Sequence, residues 1–135
     1  FFNFFHFMID LDQGPCAIKR LRGCGCGNEY VSVTPEGDVY PCHQFVGKKE
    51  WIMGSVNDLS LNTEIKDSFA KTTVYTKPEC RTCWAKFYCS GGCNANNLEY
   101  AGAIKKPYKL ACDLEKKRLE CAIMIKAALA DLEIE

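Results

Sequence analysis

The sequence is poor in histidine, has no excess of either charge and has no long apolar run. With two histidines among 135 residues, the chain has few ligands for zinc sites that combine histidine and cysteine. The 17 lysines and arginines balance 17 aspartates and glutamates, so no overall field attracts nucleic acid or an anionic membrane. No apolar stretch approaches the ~20 residues of a membrane helix, and no secretory leader pattern opens the sequence. We therefore predict a soluble, cytoplasmic protein whose partners include neither nucleic acid nor a membrane.

Cysteine is abundant, with ten residues in the chain. Gaps of two, five and three residues separate Cys80, Cys83, Cys89 and Cys93, and such spacing can turn several sulfurs toward one centre. A disulfide framework is the competing interpretation. The hydrophobic fraction of 47% is enough for an ordinary core, which disfavours that framework and favours bound metal.

The thiolates could hold zinc or iron–sulfur clusters. Structural zinc sites usually present two close cysteine pairs separated by a longer span, whereas iron–sulfur clusters use uneven runs more readily. The uneven gaps favour iron–sulfur. The alternative is a zinc-binding cysteine-rich module that recognises protein or nucleic acid, and zinc could also fill cluster sites emptied during aerobic purification.

Local patterns predict an α+β fold. A β-hairpin is expected over residues 29–42, short helical turns over 76–93, and a long C-terminal helix over 108–134. A short strand is expected at residues 51–53, followed by a helix that Asn57 or Ser60 caps.

The long helix places its apolar residues close to one face: Leu110, Leu114, Cys121, Ile125, Ala128 and Leu132. This position predicts that Cys121 is a buried core thiol rather than a ligand. Cys112 lies near the start of the helix, where the helix dipole favours a thiolate or an anionic cluster.

The order Cys24-x12-Gly37-x4-Cys42, then Cys80-x2-Cys83-x5-Cys89-x3-Cys93, then Cys112 resembles the signature of SPASM domains. These are C-terminal extensions of radical S-adenosylmethionine (SAM) enzymes that modify peptides, and they hold two auxiliary 4Fe-4S clusters. Further segments resemble the SCIFF maturases, which form cysteine-derived thioether crosslinks in a ribosomally made peptide: Gly14-Pro15-Cys16, residues 33–38, residues 40–47 and residues 121–127. The resemblance implies a small domain folded around two metal clusters.

The resemblance also implies how the cysteines divide. The outer cluster would take Cys80, Cys83, Cys89 and Cys112. Despite its place in the run, Cys93 would join Cys24 and Cys42 on the inner cluster. Cys16 and Cys26 are the candidates for the fourth inner ligand, and otherwise that iron is open to a substrate thiolate.

Five of the first seven residues are phenylalanine, which is typical of an element buried against a larger neighbour, so we expect residues 1–15 to end a preceding domain or linker. The resemblance makes that domain a radical SAM barrel and residues 16–135 the SPASM-type domain. The chain has no Cys-x3-Cys-x2-Cys run, the usual site of the SAM-cleaving cluster, because Asn96 follows Cys93 where the third cysteine should be. We therefore expect no turnover by this chain alone, and we assign no catalytic residue. S-adenosylmethionine and a third cluster would belong to the full-length enzyme. The expected partners are the barrel of the same parent chain and a cysteine-rich precursor peptide.

Overall fold

The computed structural model describes residues 5–14 and 16–132. Two sequence predictions fall partly outside the described residues, namely a preceding domain or linker over 1–15 and a helix that reaches 134. The described residues contain six α-helices: α1 (Ala17–Arg22), α2 (Thr63–Ala70), α3 (Pro78–Arg81), α4 (Lys86–Cys89), α5 (Asn94–Ala101) and α6 (Lys109–Leu132). Three 3-10 turns cover Phe5–Phe7, His43–Phe45 and Lys49–Trp51. None of these helices is both long and apolar enough to cross a membrane.

Four short strands form an antiparallel meander in the order β1 (Ser32–Val33), β2 (Asp38–Tyr40), β3 (Gly54–Ser55) and β4 (Ser60–Leu61). The predicted hairpin is confirmed, with Val33 opposite Val39. The predicted strand at 51–53 is wrong, because the 3-10 turn extends to Trp51 and the amide of Ile52 closes it on the carbonyl of Lys49 at 3.2 Å. Sheet and helices together confirm the α+β class.

Helix α2 begins at a different cap from the one expected. The Asn62 side chain accepts hydrogen bonds from the amides of Glu64 (3.0 Å) and Ile65 (3.2 Å), as an N-cap should. Asn57 and Ser60 are not caps, because the chain first turns back there into β4. The expected short turns over 76–93 are confirmed as α3 and α4.

The apolar stripe predicted for α6 is only partly buried. Leu110 and Leu114 are exposed, whereas Leu119 and Ala122 are the residues that pack inward. Cys121 beside them is half-buried, so it is not the fully enclosed thiol expected. The residues that lie beside α6 come from a distant part of the chain: residues 7–12 line a groove together with Ala122, Ile125 and Leu129.

The main core lies under the meander and contains two of the cysteines. Phe45, Trp51 and Phe69 form a triad with ring centroids 5.1–5.6 Å apart, and Phe45 is fully buried. Cys26 and Cys42 belong to the same buried cluster. This pair of thiols therefore packs in the same core as the aromatic rings.

Candidate metal centre

Four cysteines far apart in sequence line one cavity of about 360 Å³: Cys80, Cys83, Cys89 and Cys112. The first is on α3, the second follows it in a turn whose amide bonds the Cys80 carbonyl at 3.1 Å, and the third ends α4. The fourth is in the first turn of α6. These are the four residues that the resemblance assigns to the outer cluster, and we call them the outer group.

Burial disfavours the thiolate form in the outer group unless a cation compensates the charge. Desolvation raises the pKa of Cys80 to about 11, and it also raises the pKa values of Cys89 and Cys112. For Cys112 this is a correction, because the helix end was expected to favour its thiolate. Three thiols of raised pKa in a group of four around one cavity are well suited to a metal, which deprotonates the sulfurs that bind it.

A second set of cysteines interacts through hydrogen bonds and charge, and we call it the inner group: Cys24, Cys26, Cys42 and Cys93. Cys24 and Cys26 share a hydrogen bond, which lowers the pKa of Cys24 to about 6 and raises that of Cys26. Burial raises the pKa of Cys42, and the nearby Cys93 and Cys24 thiolates raise it further. These mutual effects indicate that the four sulfurs lie near enough to influence one another's charge.

The two candidates for the fourth inner ligand have different surroundings. Cys26 is 5% exposed and packs in the core cluster with Cys42. Cys16 is exposed at the start of α1, and no described contact joins it to the other inner cysteines. The structure thus brings Cys26, and not Cys16, into the inner group.

The loop from Cys89 to Cys93 separates two cysteines that are close in sequence. Three successive residues have positive φ, namely Ser90 (59°), Gly91 (83°) and Gly92 (72°). This left-handed stretch reverses the chain, and glycine adopts it without strain. Cys89 therefore faces the outer cavity, whereas the Cys93 thiol accepts a hydrogen bond from the Gln44 side chain at 3.6 Å.

The outer donor set fits a polynuclear cluster. Within residues 5–14 and 16–132, no three cysteine, histidine or acidic side chains converge on a single point for one metal ion. The outer thiols instead surround a cavity many times the ~30 Å³ that one water occupies in the liquid. Such a ring suits a cluster in which separate irons take separate thiolates.

Two residues that the sequence analysis missed connect the groups. The ammonium group of Lys77 donates to the carbonyl of Gly91 at 2.7 Å and to the Asn94 side-chain oxygen at 2.9 Å. The Asn94 amide nitrogen in turn donates to the sulfur of Cys26 at 3.4 Å. No local pattern marks either residue, because a lysine before a short helix normally lies at the surface.

Comparison with protein families agrees with this geometry. Residues 24–84, a little under half of the chain, match the SPASM family model, which is described as an iron-sulfur cluster-binding domain. The matched segment includes all the inner cysteines but Cys93, together with Cys80 and Cys83 of the outer group. No curated protein matches the chain. The match thus agrees with the resemblance to SPASM domains over these residues; the narrower resemblance to the SCIFF maturases stays a prediction.

Proposed function

We propose that the chain is the auxiliary-cluster domain of a radical SAM peptide maturase and that it holds two 4Fe-4S clusters. The observation that carries this proposal is the division of eight cysteines into two groups of four. Each group has the number of thiolates that closes a 4Fe-4S cluster. The family match supports iron–sulfur as the cofactor.

The proposed ligands of the outer cluster are Cys80, Cys83, Cys89 and Cys112. For the inner cluster we propose Cys24, Cys42 and Cys93, with Cys26 as the fourth ligand. Its burial beside Cys42 and its hydrogen bond with Cys24 support this choice over Cys16. With Cys26 bound, the inner cluster is closed by protein, and a substrate thiolate binds iron only by displacing Cys26.

The two clusters differ in access. Cys24 and Cys93 are exposed, so the inner group opens to the surface, whereas no member of the outer group is fully exposed. We infer that the inner group faces the radical SAM barrel of the parent chain and the outer group passes electrons to or from it. The proposed reaction of that enzyme is formation of cysteine-derived thioether crosslinks in a cysteine-rich precursor peptide, in the cytoplasm.

The first experiment is anaerobic reconstitution followed by iron and sulfide analysis and an absorption spectrum. We expect brown protein with about eight irons and about eight sulfides per chain, the content of two cubane clusters. Colourless protein that keeps zinc under anaerobic reconstitution would contradict the proposal and support the zinc module. Strict exclusion of oxygen matters, because oxidised clusters leave thiolates that zinc can occupy.

The fourth inner ligand is tested by Cys26→Ser, with Cys16→Ser as the matched control. Mössbauer spectra should reveal one altered iron site in the Cys26 variant and no change in the Cys16 variant. Added precursor peptide should alter the spectrum of the Cys26 variant more than that of the unaltered chain. The opposite pattern would assign the ligand to Cys16.

An activity assay tests separately whether the chain is only an auxiliary domain of a larger enzyme. The chain alone, with S-adenosylmethionine and a low-potential reductant, should form no 5′-deoxyadenosine. Formation of that product would show that the chain cleaves S-adenosylmethionine itself. It would contradict the proposal that the chain is only an auxiliary-cluster domain.

A further inference from the structure

Lys77 is a charged residue buried without an acidic partner. Its side chain is 2% exposed, although lysine is rarely buried unless its charge is compensated. In the described part of the chain, no aspartate or glutamate lies within ion-pair distance of its ammonium group. A buried cation of this kind needs negative charge from another source.

The contacts of Lys77 place it between the two cysteine groups. Its ammonium group bonds the carbonyl of Gly91, which lines the outer cavity. It also bonds the side chain of Asn94, which bonds Cys26 of the inner group. One cation therefore contacts the wall of both proposed cluster sites.

The surrounding charges agree with this placement. Desolvation lowers the pKa of Lys77, and the thiolates that oppose this effect come from both groups: Cys80 and Cys89 of the outer group, then Cys26 and Cys93 of the inner group. Four thiolates give a 4Fe-4S cluster a net negative charge, and reduction adds one more electron. A cation enclosed between two such clusters stabilises the reduced state of each, because net charge near a cluster sets its potential.

We propose that Lys77 is a positioning residue that raises the reduction potentials of both clusters. The inference rests on the proposed function, since it requires two clusters. In the relevant equilibrium each cluster takes one electron from a one-electron reductant such as dithionite, and no bond forms or breaks. Lys77 is not consumed in this equilibrium, and Asn94 holds its ammonium group toward the inner site.

The test uses Lys77→Met and Lys77→Arg in the full chain, reconstituted anaerobically and titrated with EPR detection of the reduced clusters. Loss of the charge in Lys77→Met should lower the reduction equilibrium constant of both clusters at least about tenfold, which is 59 mV for one electron. Lys77→Arg should keep both potentials close to those of the unaltered chain.

Two lysines provide matched controls for the same substitution. Lys71 is exposed and pairs with Asp67 on α2, so Lys71→Met should shift neither potential. Lys86 lines only the outer cavity, so Lys86→Met should shift the outer potential alone. A shift of both potentials is thus expected only where the charge lies between the groups.

Each outcome decides the inference. Loss of clusters in Lys77→Met with retention in Lys77→Arg would support the need for a charge. Equal behaviour of the two variants, or a shift of only one potential in Lys77→Met, would overturn the inference. If the unaltered chain holds two clusters and Lys77→Met leaves both potentials in place, this inference alone fails. If the unaltered chain holds none, the proposed function fails and the inference falls with it.

Discussion

The division of the cysteines predicts which pairs of substitutions remove the same cluster. Cys80→Ala with Cys89→Ala removes two of four thiols from the outer cavity. Cys42→Ala with Cys93→Ala removes two of the four inner thiols. Since each group should hold one cluster, each double variant should lose about four irons and keep about four. Cys121→Ala, a half-buried cysteine on α6, is the control and should keep about eight.

Anaerobic iron analysis and EPR of the dithionite-reduced protein measure this outcome. The spectra of the two double variants should differ from each other, and their sum should reproduce the spectrum of the unaltered chain. A grouping by sequence would instead place Cys93 with Cys80 and Cys89. If both double variants lost the same EPR signal, Cys93 would belong to the outer site and the proposed division would be refuted.

Three further outcomes follow from packing and charge. Phe45→Ala should lower the free energy of unfolding by about 3–5 kcal/mol in anaerobic urea titrations, because a fully buried ring is lost; the same change at exposed Phe87 should cost far less. In the metal-free protein, iodoacetamide should alkylate Cys24 with a pH midpoint near 6 and Cys80 only near 11, since thiolates react and the pKa values are shifted in opposite directions; equal rates at pH 7 would contradict this. Gly91→Ala should destabilise the protein by about 1–2 kcal/mol in thermal unfolding, because a side chain disfavours its φ of 83° and meets the Lys77 side chain at 3.2 Å; an unchanged melting temperature would count against a rigid loop.

Several features were predictable because they depend on neighbouring residues. The hairpin follows from alternating residues on both sides of a turn, and the short helices around Cys80 and Cys89 follow from closely spaced ligands near Pro78. The prediction of bound metal follows from cysteine spacing, and the SPASM resemblance follows from the order of the cysteines. These patterns are local, so the sequence could reveal them.

Other features depend on which distant segments meet. The length of α6 was predictable, but its buried face was not, because that face depends on distant segments such as residues 7–12, which lie beside α6 at Ala122. The sequence left open whether Cys16 or Cys26 is the fourth inner ligand. Only the packing of Cys26 beside Cys42 favours Cys26.

The sequence by itself thus predicted the kind of chemistry, thiolate binding of metal, because closely spaced cysteines bind metal in many folds. The resemblance divided most of the thiols into two groups, but only the tertiary structure placed the outer four around one cavity, put Cys26 beside Cys42 and showed which residue lies between the groups. Lys77 shows the reason: its burial and its two hydrogen bonds depend on the left-handed turn at Gly91 and on the start of α5 at Asn94, 14 and 17 residues away. Long-range contacts of this kind leave no periodic pattern in the chain.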